Sequence, residues 1–85
     1  MKTILLKTFV KRLRRTPLKI QSKFRARLKI FIENPTQPIL NNHSVEKVFT
    51  GCRSINITGD YRAIFKIENE LFVFVDIGTH SELYS

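Results

Sequence analysis

A single cysteine, Cys52, excludes an internal disulfide and fits a reducing compartment. It is either a nucleophile or an idle buried thiol. Nothing in the chain approaches the ~18 consecutive apolar residues of a membrane span. The start, MKTILLKTFVKRLRR, is basic like an address label. Its apolar centre, Ile4-Leu5-Leu6, falls short of the ~7–15 residues of a secretory signal, so the segment is expected to belong to the folded domain. Acidic residues are missing altogether from positions 1–32, which hold eleven Lys and Arg. The remainder holds four Lys and Arg against seven Asp and Glu. The net charge of +8 is therefore a property of the N-terminal third. Such a field attracts phosphate chains, acidic lipid surfaces or an acidic protein. Histidine is also scarce, with only His43 and His80.

With 85 residues there is room for one core, so residues 1–85 are read as a single domain. Residues 3–7 suit a short strand. Thr8 is a candidate cap for a short helix with Phe9 and Leu13 one turn apart. Thr16-Pro17 ends that helix and opens a second, in which Ile20, Phe24, Leu28 and Phe31 form one apolar stripe. Lys19, Lys23 and Arg27 repeat on another face, and Asn34-Pro35 stops the helix. PTQPILNN reads as a loop. From Val45 the period changes to two, giving strand candidates VEKVF, RSINI, YRAIFKI and LFVFVDI, the last three separated by TGD and ENE. The fold class is α+β: a short first strand, then a basic two-helix hairpin on a mainly antiparallel sheet of three to four further strands.

Treating TGD and ENE as three-residue loops sets a register. Ile55 and Ile57 pair with Ala63 and Tyr61, and Ala63 and Phe65 pair with Val75 and Val73. Ile55, Ile57, Tyr61, Ala63, Phe65, Ile67, Leu71, Val73, Val75 and Ile77 then form the core face. Ser54, Asn56, Arg62, Ile64, Lys66, Phe72, Phe74 and Asp76 form the other. Asn56, Arg62 and Asp76 fall in one row across three strands. That row is either a surface ladder with one ion pair or the polar floor of a site.

RSINITGDYRAIF followed by FVDIGTHSELY, with LNNH before the sheet, resembles the RelE/ParE superfamily of toxins, in particular its RelE/StbE and YafQ-like branch of mRNA interferases. The resemblance covers nearly the whole chain. It implies a cytoplasmic ribonuclease that cuts mRNA on the ribosome, uses no metal or other cofactor, and is held inactive by a cognate acidic antitoxin. It assigns site roles to His43 in the loop, Asp60 and Tyr61 at the hairpin turn, His80 in the GTH segment and Tyr84. Asn56 stands where the YafQ-like branch has a strand histidine, and Asp76 where it has an arginine. Arg62, expected beside Asp76, is the cation that replaces it.

Metal-free RNA cleavage takes the substrate's own 2′-hydroxyl as nucleophile. It needs a base at that hydroxyl, a cation at the phosphate and an acid at the departing 5′-oxygen. Imidazole suits proton transfer because its ordinary pKa of ~6.5 lies near working pH. Guanidinium grips phosphate through a planar fork. The expected catalytic set is His80 as acid, His43 or Asp60 as base, and Arg62. Tyr84 and Tyr61 are candidates for stacking on bases, although the register turns Tyr61 toward the core. Asn56, Arg53 and Lys47 complete the expected substrate contacts. Arg12, Arg15, Lys19, Lys23 and Arg27 make a basic face expected to meet ribosomal RNA and the antitoxin. Two other readings stay open: a catalytically degenerate RNA- or antitoxin-binding protein of the same fold, and a ParE-like gyrase inhibitor.

Overall fold

The computed structural model describes residues 1–84. Chain order is β1 (Lys2–Leu5), α1 (Lys7–Arg14), α2 (Leu18–Glu33), a 3-10 turn (Pro38–Leu40), β2 (His43–Ser44), β3 (Cys52–Asn56), β4 (Tyr61–Glu68), β5 (Leu71–Thr79) and α3 (His80–Tyr84). The five strands form one sheet in the order β1-β5-β4-β3-β2, with β1 parallel to β5 and every other pair antiparallel. The architecture is the expected α+β one.

Both long helices form where their apolar spacing places them. Phe9 and Leu13 of α1 and Phe24 and Phe31 of α2 are buried, with Ile20 and Leu28 half-buried behind them. Helix α1 starts one residue earlier than the candidate cap: Leu6 takes the capping position without a side-chain bond, and Thr8 lies inside the helix. The helices cover one sheet face, which presents Ile55, Ile57, Ala63, Phe65, Phe74 and Ile77. Six of the seven phenylalanines meet in this cluster. Phe31 sits at its centre, with ring centroids 4.9 Å from Phe65, 4.9 Å from Phe72 and 5.3 Å from Phe74, in the edge-on geometry that aromatic quadrupoles favour.

The β3–β4 register is the expected one, with Ile55 opposite Ala63 and Asn56 opposite Arg62. The β4–β5 register is not. The hairpin turns in two residues, Asn69 and Glu70, both with positive φ (51° and 62°), as the type I′ geometry demands. Glu68 therefore pairs with Leu71 and Phe65 with Phe74. A β-bulge then adds one residue on β5, so that Ile64 opposes Asp76, Ala63 opposes Ile77 and Arg62 opposes Gly78. The shorter turn swaps the faces of the first half of β5. Phe72 and Phe74 go to the core in place of Leu71, Val73 and Val75, while Ile67 is 57% exposed. The bulge restores the parity, so Ile77 faces the helices as expected.

VEKVF is not a strand. It forms turns between β2 and β3, closed by a bond from the Gly51 amide to Glu46 Oε2, and pairing in this region is confined to His43–Ser44. Gly51 sits at φ +74°, which suits a residue without Cβ. The far face of the sheet is covered in part by this segment and by α3. Val45, Cys52, Ile64 and Leu83 make a second apolar cluster there, with Phe49, Val75 and Tyr84 at its margin. Among the described residues no helix is long and apolar enough to cross a membrane.

Phe74→Ala is expected to cost about 3–5 kcal/mol in denaturant unfolding, the penalty for emptying a fully buried aromatic site. Glu70→Gly is expected to stabilise by about 1 kcal/mol by relieving a non-glycine positive φ. The three-residue loop of the simple pattern predicts neither result.

Candidate active site

An open hollow of about 530 Å³ lies on the far face, lined by Asn41, His43, Ser44, Val45, Glu46, Lys47, Val48, Arg62, His80 and Tyr84. Three separate parts of the chain supply its polar groups. Strand β2 and the turns after it bring His43 and Lys47, strand β4 brings Arg62, and α3 brings His80 and Tyr84.

His43 is oriented by the backbone before it. Asn41 adopts a left-handed conformation (φ 48°), which asparagine tolerates better than most residues, and ends the 3-10 turn. Its carbonyl then lies 2.7 Å from His43 Nδ1. A carbonyl only accepts, so Nδ1 carries the hydrogen and the neutral ring keeps Nε2 as its proton acceptor. Arg62 is held from behind. Its Nη1 donates to the carbonyls of Gly59 (2.8 Å) and Thr58 (3.2 Å) in the β3–β4 turn. The remaining guanidinium donors are not used by these bonds.

His80 owes its place to a cap. Gly78 and Thr79 are the last residues of β5. Thr79 Oγ1 accepts from the Glu82 amide at 3.1 Å, and the Thr79 amide donates to Glu82 Oε1 at 2.8 Å. This reciprocal pair is the capping box of a Thr-x-x-Glu sequence. The His80 amide donates to the Asp60 carbonyl at 3.0 Å, which ties α3 to the β3–β4 turn. Four residues on, Tyr84 stacks obliquely on the His80 ring, centroids 4.6 Å apart, and meets Phe49 edge-on. The bonds to the Thr79 amide and hydroxyl hold the Glu82 carboxyl below its ordinary range, and the Arg12 charge adds to this.

The other expected site residues lie elsewhere. Asp60 enters through its backbone carbonyl, and its side chain does not line the hollow. Tyr61 packs against the main core, as its register requires. Arg53 shares a face with Phe65, and its Nε donates to Asn42 Oδ1 at 2.7 Å on the helix side of the sheet. Asn56 is Arg62's neighbour, but its Oδ1 is buried without a hydrogen-bond partner among the described residues, as is Ser54 Oγ. The expected Arg62–Asp76 pair does not form, because the bulge moves Gly78 opposite Arg62. Asp76 pairs instead with Arg12 of α1, Nη1 to Oδ1 2.5 Å. Arg12 therefore leaves the basic face, and Arg27 donates to the Ile39 carbonyl at 2.8 Å. Arg15, Lys19 and Lys23 lie on the helical hairpin, outside the hollow. Burial pushes the Cys52 thiol up, which makes it a poor nucleophile. Among the described residues no three His, Cys, Asp or Glu side chains gather as metal ligands.

Sequence reasoning missed α3 itself, and with it Glu82. The Thr79-x-x-Glu82 spacing was the available signal.

A family model described as the ParE toxin of the type II toxin-antitoxin system, parDE, matches residues 4–84. The fold is similar to YafQ from E. coli strain BL21(DE3), with TM-score 0.75, 20% identity and 99% and 98% of the two chains covered. It is also similar to the YoeB/ParE toxin from Agrobacterium tumefaciens, with TM-score 0.73, 14% identity and 94% and 99% covered. A chain of the RelB-RelE antitoxin-toxin complex from Methanococcus jannaschii matches with TM-score 0.71, 18% identity and 96% and 95% covered. No curated protein matches the sequence.

Two measurements probe the cap. Thr79→Ala removes the acceptor for the Glu82 amide and is expected to cost about 1 kcal/mol locally, a roughly fivefold faster hydrogen exchange at that amide. Because folding lowers the Glu82 pKa, its stabilising effect is complete above the unfolded value and is lost as pH falls through the folded one. The Thr79 amide resonance should report that loss in acid, and Glu82→Gln should abolish the titration.

Proposed function

The chain belongs to the ParE toxin family of type II toxin-antitoxin systems, and from that premise we propose that it acts as an endoribonuclease on messenger RNA. The supporting observation is the hollow itself, where two imidazoles, a guanidinium, an ammonium group and a tyrosine ring line one surface. These are the groups that cleavage by an internal 2′-hydroxyl requires.

In this reading His43 Nε2 takes the proton from the 2′-hydroxyl, and the Asn41 carbonyl fixes the tautomer that leaves this nitrogen unprotonated. The oxygen attacks the adjacent phosphorus, and negative charge grows on the non-bridging oxygens. Arg62, its position fixed by the Thr58 and Gly59 carbonyls, and Lys47 stabilise that charge. Protonated His80 gives its proton to the leaving 5′-oxygen. The products are a 2′,3′-cyclic phosphate and a free 5′-hydroxyl. Tyr84, beside the His80 ring, offers a face for a base next to the scissile bond. No step calls for a metal. The exposed cations of the helical hairpin, Arg15, Lys19 and Lys23 among them, guide the toxin to ribosomal RNA in the cytoplasm. They also attract the acidic cognate antitoxin that restrains it. The RelB–RelE complex is one such pairing of toxin and antitoxin.

The family's description also names ParE, which keeps gyrase inhibition as the second reading. The two separate in one set of assays. Induced wild-type protein is expected to arrest growth and to produce mRNA cuts, mapped by primer extension, that end in cyclic phosphate. His80→Ala and His43→Ala should each lower cleavage by ~10²–10⁴-fold, the usual worth of a positioned proton-transfer group. Arg62→Ala should do the same through the phosphate, and the pH–rate profile should be bell-shaped. Intact mRNA together with loss of gyrase supercoiling by wild type and His80→Ala alike would establish the gyrase reading instead.

A further inference from the structure

Arg12 lies outside the hollow, yet it is the one cation of α1 shown paired with an acid among the described residues. Strand β1 leaves β5 after Phe74, where the Leu6 amide bonds the Phe74 carbonyl. Beyond that point the edge of β5 is open, and α1 runs beside it. Arg12 reaches across this edge. Nη1 bonds Asp76, whose Oδ1 also accepts from the Ile77 amide at 2.8 Å. Nη2 lies 3.4 Å from where a Cβ on Gly78 would stand, and Glu82 Oε1 lies 3.2 Å from the same point. Guanidinium and capping carboxylate thus close over a glycine at which an added Cβ would press on both. Arg12, Gly78 and Glu82 line one small cleft behind α3.

We propose that Arg12 is a positioning residue for His80, acting through Glu82 and the Thr79 cap to hold α3 against the end of β5. Arg12 bonds Asp76 directly, and across the small cleft its charge acts on Glu82 in the first turn of α3 without a direct ion pair. Asp76 pairs with this cation and Glu82 feels its charge, with Arg15 at the margin of the same cleft. Without Arg12 the two carboxylates lose their shared counter-charge, and the cap that places His80 loses its outer support. Helix α3 is only five residues long, so it depends on such external ties more than a longer helix does. Misplacement of a proton donor by a fraction of an ångström slows the chemical step while leaving RNA binding to the other groups of the hollow.

This inference rests on the ribonuclease reading only for its kinetic arm. Arg12→Ala is expected to lower kcat for RNA cleavage about tenfold with KM changed less than twofold. Arg12→Lys should recover part of the loss, and Gly78→Ala, which presses on Glu82 and Arg12 directly, should reproduce it. Lys66→Ala, which removes a cation that pairs with Glu68 on β4 away from the hollow and the hairpin, should leave kcat unchanged. Arg12→Ala and Glu82→Gln combined should lose no more than either alone. Independently of activity, the Thr79 and Glu82 amides should exchange several-fold faster in Arg12→Ala, while the amides of β4 keep their protection. Unchanged exchange at Thr79 and Glu82, or a kcat loss that is additive with Glu82→Gln, overturns the proposal. If wild-type protein cuts no RNA, the function proposed above fails, and the exchange measurement alone decides whether Arg12 holds α3.

Discussion

One extra residue in β5 governs the arrangement. Without the bulge, strict alternation would put Phe72, Phe74 and Asp76 on one face and Val75 and Ile77 on the other. Asp76 would then enter a phenylalanine core, where an unpaired carboxylate costs several kcal/mol. Ile77 would be lost from that core. Inserting one residue between Phe74 and Asp76 keeps Phe74 and Ile77 on the helix side and leaves Asp76 half-buried at the strand edge. The same shift brings Gly78 opposite Arg62. A glycine there leaves space for α3 to cross back over the sheet, which carries His80 and Tyr84 to the side that holds Arg62.

Much of this was legible because apolar spacing reports burial directly. The stripe Ile20, Phe24, Leu28 and Phe31 is the underside of α2, and Ile55, Ala63 and Phe65 face it across the sheet. What alternation cannot report is how many residues a turn consumes. Glu68 could belong to the loop or to the strand, and the tight turn needs Glu70 at positive φ, an uncommon residue there. The bulge is equally silent along LFVFV, which is apolar at both parities. An error of one position at the turn moved Phe72 and Phe74 to the wrong face, and it created an Arg62–Asp76 pair that does not exist.

The candidate site was legible in a different way. His43, Arg62, His80 and Tyr84 were assigned through a resemblance and through the needs of phosphodiester chemistry, and the fold brings them to one hollow. Asp60, Tyr61 and Arg53 are near those residues in sequence yet leave the hollow for reasons of register. Tyr61 and Arg53 sit on the helix-side parity of β4 and β3, and Asp60 lies in the turn with only its carbonyl engaged toward α3. Sequence distance along a hairpin is a poor guide here, because neighbouring residues point to opposite faces.

The basic N-terminal third takes two forms once folded. Lys19 and Lys23 remain exposed on α2, and such charges act at long range, on encounter and orientation. Arg12, although itself exposed, is tied to Asp76, because β1 ends early enough to leave the edge of β5 open to it. A planar fork can meet Asp76 and still extend toward Glu82, whereas a lysine in its place would offer a single point charge. The two histidines are carried by a five-residue helix and a two-residue strand, the elements with least packing of their own. The aromatic core does not fix them directly. Their geometry depends on ties that run around the sheet edge and through the β3–β4 turn, so a residue on the helical side can set the angle of a histidine on the other.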